Sequence, residues 1–274
     1  MPIIGQNNFS SLPLFDKAVT DNPNAKRALC FGDSWFQYPP YPVDLNKQIA
    51  KVFKRTLFLN YGMAGRDSAS WKRGLGDVRR AIGSYAFDAI LLSNGGNDVV
   101  GDELFEFVKT PSQPQSSGTA PWGQIPSEVF DYVRLETFQH ALEYAIKDFK
   151  EVIQNRDQLS PKSIIYVHTY DYIYPDGRPF KLGPITVGPW VKPAFEQVGL
   201  DDPVQQKIVT DWLLQQFARE LKAFVSQNAN MRLVYSLGTL TSKKQWQNEI
   251  HPTEAGFRKI AKECWVPLLN GVLV

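Results

Sequence analysis

Cysteine and histidine are both scarce in this sequence of 274 residues. The two cysteines, Cys30 and Cys264, are too few for a disulfide framework, and Cys30 lies in a predicted strand, where we expect a small core residue. The three histidines form no His-x-His or Asp-x-His pair, whereas a metal hydrolase needs several convergent His and Asp ligands. We therefore expect no bound metal and no cofactor.

Long apolar runs and blocks of like charge are also missing. No stretch reaches the roughly 18 apolar residues that a membrane helix needs, and residues 1–14 lack the basic start and apolar core of a signal peptide. The 30 basic and 28 acidic residues are spread along the chain, so no basic patch indicates a nucleic-acid partner. These absences predict a cytoplasmic protein with no transmembrane segment. Export by a route without a signal peptide stays open, as does the oligomeric state.

Short continuous apolar runs alternate with segments of helical periodicity. Continuous apolar runs indicate strands that are buried on both faces. The predicted strands are residues 28–32, 56–61, 87–93, 163–168 and 232–236, and the predicted helices are residues 43–53, 68–82, 135–153, 201–225 and 253–264. Strands that alternate with helices predict a single three-layer α/β/α domain around a parallel sheet.

Two segments are longer than ordinary loops. Residues 101–134 contain prolines and a Ser/Gly cluster, and residues 169–200 are rich in Tyr, Pro, Gly and Trp. Long loops in a compact domain are usually functional lids or disordered segments. Because both follow predicted strands, we expect them at the carboxyl edge of the sheet, where open α/β sheets bind their ligands.

Four polar or glycine-rich segments lie at the ends of predicted elements. Residues 32–35 (Gly-Asp-Ser-Trp) follow the first strand, residues 60–65 (Asn-Tyr-Gly-Met-Ala-Gly) the second, and residues 94–98 (Asn-Gly-Gly-Asn-Asp) the third. Residues 248–252 (Asn-Glu-Ile-His-Pro) precede the last helix. A serine on such a turn is a nucleophile where a base and oxyanion donors face it, although alone it is equally well a helix N-cap.

In this order and at these positions, the four segments resemble the sequence blocks of the SGNH (GDSL-type) hydrolase family. The resemblance implies a flavodoxin-like parallel sheet of about five strands in the order 2-1-3-4-5, and serine-dependent hydrolysis of esters. Ser34 would attack an acyl carbon, and His251 would take its proton. The backbone N–H groups of Ser34 and Gly65 and the side-chain amide of Asn97 would hold the oxyanion.

One position departs from the pattern of that family. The family usually has Asp three residues before the histidine, where this chain has Asn248. An asparagine oxygen can accept the imidazole Nδ1–H, but it offers no full negative charge to an imidazolium. The carboxylate of Glu249 and a backbone carbonyl are alternative acceptors. Asn248 and Glu249 therefore both stay candidates for the residue that orients His251.

Several residues near these segments are candidates for the substrate pocket. We expect its lining to include residues that flank the nucleophile or follow the fourth strand, namely Asp33, Trp35, His168, Tyr170 and Trp190. In the plainer alternatives, Asp33 only holds the turn through backbone N–H groups, the aromatic side chains only pack the loops, and His168 does not reach the pocket.

The leading hypothesis is a serine hydrolase that cleaves small-molecule, lipid or carbohydrate esters through an acyl-enzyme on Ser34. This class includes esterases, lipases and deacylases, and no motif in the chain selects the acyl or alcohol group. A catalytically weak or inactive binding protein of the same fold is the alternative that Asn248 suggests. A metal-dependent phosphoesterase is less favoured, although Gly-Asp and Gly-Asn-Asp loops also occur in metal hydrolases.

Overall fold

A parallel sheet flanked by helices is the framework of the protein. The computed structural model describes residues 5–38, 43–115 and 122–274. The described strands are β1 (Asn8–Phe9), β2 (Lys26–Gly32), β3 (Thr56–Gly62), β4 (Ala89–Ser93), β5 (Ile164–His168), β6 (Phe180–Leu182), β7 (Ile185–Val187) and β8 (Met231–Val234). The described α-helices are α1 (Leu12–Asp21), α2 (Leu45–Val52), α3 (Ser68–Ser84), α4 (Gly96–Val100), α5 (Leu104–Phe107), α6 (Ser127–Tyr132), α7 (Leu135–Leu159), α8 (Lys192–Gln197), α9 (Pro203–Ser226), α10 (Glu254–Ile260) and α11 (Val266–Leu273).

The parallel strands stand in the order β1-β3-β2-β4-β5-β8, and β6 pairs with β7 in a separate antiparallel hairpin. The register of the central strands aligns their carboxyl ends, because Gly32 pairs with Gly62 on one side and with Ser93 on the other. A Cβ on Gly32 would lie 2.5 Å from the carbonyl oxygen of Ser93, so only glycine fits at this position. The loops that follow β2, β3 and β4 therefore start at the same edge of the sheet.

The two longest helices, α7 and α9, pack their apolar faces against the core. Phe138 and Leu142 lie four residues apart on one face of α7, and both are buried. The ring of Phe138 contacts that of Trp212 on α9, with the ring centroids 5.7 Å apart. A Cβ on Gly95, in the loop after β4, would meet the ring of Phe217 on α9 at 2.6 Å. Helix α9 is therefore packed closely against the loop after β4.

The chain ends in a helix that changes its hydrogen-bond pattern midway. Helix α10 begins after Thr253, whose hydroxyl accepts a first-turn backbone N–H at 3.1 Å. Residues Ala261–Trp265 form a π-helical turn that leads into α11. Pro267, near the start of α11, has no N–H to offer the carbonyl four residues earlier, which accounts for the wider turn. The helix predicted over residues 253–264 therefore continues as α11.

The predicted three-layer fold is confirmed. The strands β3-β2-β4-β5-β8 stand in the predicted order 2-1-3-4-5, and β1 adds an edge strand that is too short to produce a periodic signal. Short elements occupy the two long segments: α5 and α6 lie within residues 101–134, and β6, β7 and α8 lie within residues 169–200. Residues 116–121 of the first segment lie outside the described residues. Within the described ranges, no helix combines the length and apolarity needed to cross a membrane.

Candidate active site

A serine and a histidine that are far apart in the sequence meet at the carboxyl edge of the sheet. Ser34 lies on the turn after β2, and His251 lies just before α10. The Oγ atom of Ser34 is 2.7 Å from the Nε2 atom of His251. Only 6% of Ser34 and 4% of His251 are exposed to solvent. The pair has the geometry needed to pass the hydroxyl proton to the imidazole.

Asn248 holds the opposite side of the imidazole. Its Oδ1 atom is 3.1 Å from Nδ1 of His251, and it also accepts the backbone N–H groups of Ile250 and His251 at 3.1 and 2.9 Å. The Nδ2 atom of Asn248 donates to the hydroxyl of Tyr38 at 3.0 Å. Because two backbone N–H donors converge on Oδ1, this atom must be the amide oxygen. Nδ1 of His251 therefore carries the proton, and Nε2 is free to accept one from Ser34.

Burial keeps the imidazole of His251 neutral. Desolvation of the charged form lowers the pKa of His251 from 6.5 to about 3. The unprotonated base is therefore the resting form at neutral pH. The neutral amide of Asn248 becomes a disadvantage only when His251 is protonated, because it stabilises an imidazolium less than a carboxylate would.

The carboxylate of Glu249 is hydrogen-bonded to a neighbouring loop. Glu249 is fully buried, and backbone N–H groups from residues 177–192 surround its two oxygens. Four of these groups donate at distances between 2.7 and 3.0 Å, from Gly177, Trp190, Val191 and Lys192. Hydrogen bonds to an ionised carboxylate are strong, so they tie this segment to the chain that carries the histidine. Of the three acceptors considered for Nδ1 of His251, which were Asn248, Glu249 and a backbone carbonyl, the structure places the Asn248 oxygen there, while Glu249 binds the loop.

Two of the three expected oxyanion donors, Asn97 and Gly65, lie on neighbouring loops. Asn97, at the start of α4, lines the same cavity as Ser34. One N–H of its side-chain amide donates to the backbone carbonyl of Arg66 at 2.7 Å, which leaves the second N–H for another acceptor. This bond joins the loop after β4 to the loop after β3. Gly65 lies on the latter loop with a φ of +69°, is exposed, and is outside the described lining of the cavity.

A buried network of side chains lies next to the turn that carries Ser34. The Oδ1 atom of Asp33 accepts the backbone N–H of Trp35 at 2.9 Å and the hydroxyl of Ser93 at 2.8 Å, and its Oδ2 atom accepts the hydroxyl of Tyr170. The Nε2 atom of His168 lies 2.8 Å from the Ser93 hydroxyl, and its Nδ1 atom accepts the backbone N–H of Tyr170 at 3.3 Å. These hydrogen bonds hold His168, Ser93 and Asp33 in fixed orientations. Asp33 in turn holds the turn that carries Ser34, through the backbone N–H of Trp35.

Burial also shifts the titration of this network. Desolvation raises the pKa of Asp33 to about 6, although its hydrogen bonds favour the charged form, and desolvation lowers the pKa of His168 to about 3. A neutral His168 accepts from a backbone N–H through Nδ1, so its proton lies on Nε2 and is donated to Ser93. The Ser93 hydroxyl can then donate to Asp33. The donors therefore point the same way along the network, from His168 to Ser93 and from Ser93 to Asp33.

Three of the five residues expected to line the substrate pocket line the cavity, and two do not. Asp33, Trp35 and Tyr170 line the cavity that contains Ser34. His168 is not in the described lining and belongs to the network next to the turn. Trp190 packs edge to face against the ring of His251, with the ring centroids 5.6 Å apart.

The cavity beside the serine is small. It offers about 20 Å³ to the centres of water-sized atoms. Its lining consists of Asp33, Ser34, Trp35, Gly96, Asn97, Val100, Tyr170, Ile173, Leu214, Ile250 and His251. Across residues 5–38, 43–115 and 122–274, no group of three or more His, Cys, Asp or Glu side chains is arranged to hold a metal ion.

Some residues of the site gave no local signal in the sequence. Tyr38 packs on the ring of His251 with a centroid distance of 4.3 Å, and it follows Ser34 by four residues in a proline-rich stretch. Ser93 ends β4 and contacts Asp33, sixty positions away in the sequence. The guanidinium of Arg66 lies 4.3 Å from the ring centroid of Phe31. The position of Ser93, directly before the Asn-Gly-Gly-Asn-Asp segment, is the one signal that could have indicated its role.

Comparison with solved structures identifies the fold. The chain resembles a protein from Streptococcus pneumonia described as a candidate platelet activating factor, with a TM-score of 0.53 and 14% identity over 97% of this chain and 93% of that one. It also resembles the lipase Lip_vut3 from a goat rumen metagenome, with a TM-score of 0.50 and 11% identity over 87% of this chain and 95% of that one. A member of the lipolytic G-D-S-L family from Veillonella parvula has a TM-score of 0.49 and 16% identity, with the same coverage.

The chain has the SGNH (GDSL-type) hydrolase fold, as the four sequence segments predicted. No family model matches the sequence. No curated protein matches it either. The evidence for the fold therefore comes from the arrangement of the elements rather than from overall sequence similarity.

Proposed function

We propose that this protein is a serine-dependent hydrolase of carboxylic esters. The observation that supports this proposal is the chain of contacts from Ser34 Oγ to His251 Nε2 at 2.7 Å and from His251 Nδ1 to Asn248 Oδ1 at 3.1 Å. The first contact activates the nucleophile, and the second selects the tautomer that can accept its proton. The lipase name of one structural neighbour agrees with this reaction class.

The proposed reaction has two steps. In the first, Ser34 Oγ bonds to the acyl carbon while its proton passes to Nε2 of His251, and the alcohol leaves after taking that proton as its bond to the acyl carbon breaks. In the second step, water attacks the acyl-enzyme and gives a proton to Nε2, which returns it to Ser34 as the acid departs. The Ser34 backbone N–H and the second N–H of the Asn97 amide are the donors proposed for the oxyanion, with the Gly65 N–H as a third.

Covalent labelling combined with ester turnover tests this proposal. We expect a fluorophosphonate to label the wild-type protein on Ser34 and p-nitrophenyl acetate to be hydrolysed. Ser34→Ala should abolish labelling and lower kcat/KM about 10³-fold or more. Ser226→Ala, at an exposed serine near the end of α9, is the matched control and should leave both unchanged. Turnover that persists in Ser34→Ala would contradict the mechanism.

A binding protein that retains the fold without catalysis is the second candidate. Two observations favour it: Asn248 stands where a carboxylate is usual, and only 6% of Ser34 is exposed. Under this alternative, folded wild-type protein would neither react with the fluorophosphonate nor hydrolyse p-nitrophenyl acetate. The labelling experiment therefore separates the two candidates.

A further inference from the structure

The cavity beside Ser34 limits the size of an acyl group. It offers about 20 Å³ to the centres of water-sized atoms, which is far less than the larger depressions on the protein offer. Such a space suits a short acyl group rather than a long one. Larger depressions, of about 410 Å³ beside Trp122 and about 550 Å³ beside Lys207, have described linings that do not include Ser34.

The cavity combines a reactive end with an apolar remainder. Ser34, Asn97 and His251 form the reactive end, where the carbonyl group of an ester would lie. The other lining residues are mainly apolar, and they include Val100, Ile173, Leu214 and Ile250. No lysine or arginine is in the described lining, and the carboxylate of Asp33 is already hydrogen-bonded to three donors. These walls suit an uncharged, apolar acyl substituent.

The walls have little room to retreat. Leu214 is fully buried in α9, and Ile173 is 2% exposed. The hydroxyl of Tyr170 is bonded to Asp33, and a Cβ on Gly96 would already meet the Tyr170 ring at 2.7 Å. Protein cores are packed as densely as organic crystals, so a longer acyl chain must displace side chains that are themselves packed.

We propose, on the basis of the ester hydrolase function above, that the substrates are acetyl esters. The carbonyl carbon of the acetyl group lies at Ser34, and its methyl group fills the apolar part of the cavity. Acyl chains of four or more carbons exceed the space, so the wild-type protein discriminates against them. The alcohol lies on the side of His251, where Tyr38 and Trp190 flank the ring.

A chain-length series on the wild-type protein tests the proposal directly. We expect kcat/KM to fall about 100-fold from p-nitrophenyl acetate to p-nitrophenyl butyrate, and further for the hexanoate. Equal or greater activity on butyrate would overturn the acetyl assignment while leaving the ester hydrolase function in place. Failure to hydrolyse any of the three esters, together with an unlabelled Ser34, would overturn both.

Enlarging the cavity provides the second test. Leu214→Ala should raise the ratio of butyrate to acetate kcat/KM about 10-fold or more, because it removes a wall of the cavity. Leu213→Ala is the matched control, since Leu213 is equally buried on α9 but outside the described cavity lining. Val100→Ala shortens another side chain of the cavity lining. It serves as the test variant, with the same expected ratio change, if Leu214→Ala does not fold. An equal ratio change in the Leu213→Ala control would overturn the proposal, as would no change when either wall is removed.

Discussion

At the scale of single residues, Asn248 makes the group of Ser34, His251 and Asn248 electrically neutral. Its amide oxygen orients His251 through Nδ1, and its amide nitrogen is held by the hydroxyl of Tyr38. The resting groups Ser34, His251 and Asn248 are therefore all uncharged. Orientation of the base is complete, while stabilisation of the imidazolium by a negative charge is missing.

Restoring that charge should increase the rate. In Asn248→Asp, the backbone N–H groups of Ile250 and His251 still have an acceptor, and the Tyr38 hydroxyl can donate to the new carboxylate. We expect kcat/KM for p-nitrophenyl acetate to rise about 10-fold, which corresponds to about 1.4 kcal/mol. Asn270→Asp, at an exposed position of α11, is the control and should not change the rate. A lower rate in Asn248→Asp would show that the Nδ2 bond to Tyr38 matters more than the charge.

The pH profile reports on the same imidazole. Because the pKa of His251 is lowered to about 3, we expect the wild-type kcat/KM to stay level between pH 7 and pH 5, with an acid limb only below that range. A neighbouring carboxylate favours the imidazolium, so Asn248→Asp should move the acid limb to higher pH. Steady-state rates across this range check both statements. An acid limb near pH 6.5 in the wild-type protein would contradict the burial argument.

At the scale of elements, Glu249 joins the chain before α10 to residues 177–192. Its buried carboxylate accepts four backbone N–H groups, and glutamine can supply only one oxygen to them. We expect Glu249→Gln to lower the free energy of unfolding by about 3 kcal/mol, because buried N–H donors lose their acceptor. Urea denaturation measures this change, with Glu263→Gln at an exposed position as the control. Equal stability of the two variants would contradict this role of Glu249.

At the scale of the whole molecule, buried neutral groups make stability depend on pH. The folded-state pKa of His168 is about 3, below its ordinary value of 6.5, so between these values the unfolded chain binds a proton that the folded chain does not. Its stabilising contribution is complete above pH 6.5 and is lost as the pH falls toward 3, at about 1.4 kcal/mol per pH unit. The raised pKa of Asp33 has the opposite effect, because it makes the folded protein more stable as the pH falls. The contribution of His168 is therefore measured as the stability difference between the wild-type protein and a variant without this histidine.

His168→Gln removes this titrating group while Asp33 remains. We expect the stability difference between the wild-type protein and His168→Gln to shrink by about 2 kcal/mol between pH 6.5 and pH 5. Parallel urea unfolding at the two pH values measures it, with His140→Gln on the exposed face of α7 as the control. A difference that is independent of pH would show that the pKa of His168 is the same in the folded and unfolded protein.

The sequence predicted the sheet because strands buried on both faces leave continuous apolar runs. It also indicated the positions of Ser34, Asn97 and His251, since each lies in a short segment at the end of an element. The contact of Ser93 with Asp33 and the contacts of Glu249 with residues 177–192 were not predictable. They join positions about 60 to 70 residues apart, which only tertiary packing brings together.

Asn248 and Glu249 are consecutive, and one peptide unit therefore connects the base to the loop. Asn248 is hydrogen-bonded to the imidazole, while Glu249 is hydrogen-bonded to the backbone of residues 177–192. The hydrogen bonds that seat residues 177–192 therefore also restrain the peptide next to Asn248, whose amide oxygen orients His251. Under the proposed hydrolase function, alignment of His251 with Ser34 therefore depends on the seating of residues 177–192 as well as on the segment that carries the histidine.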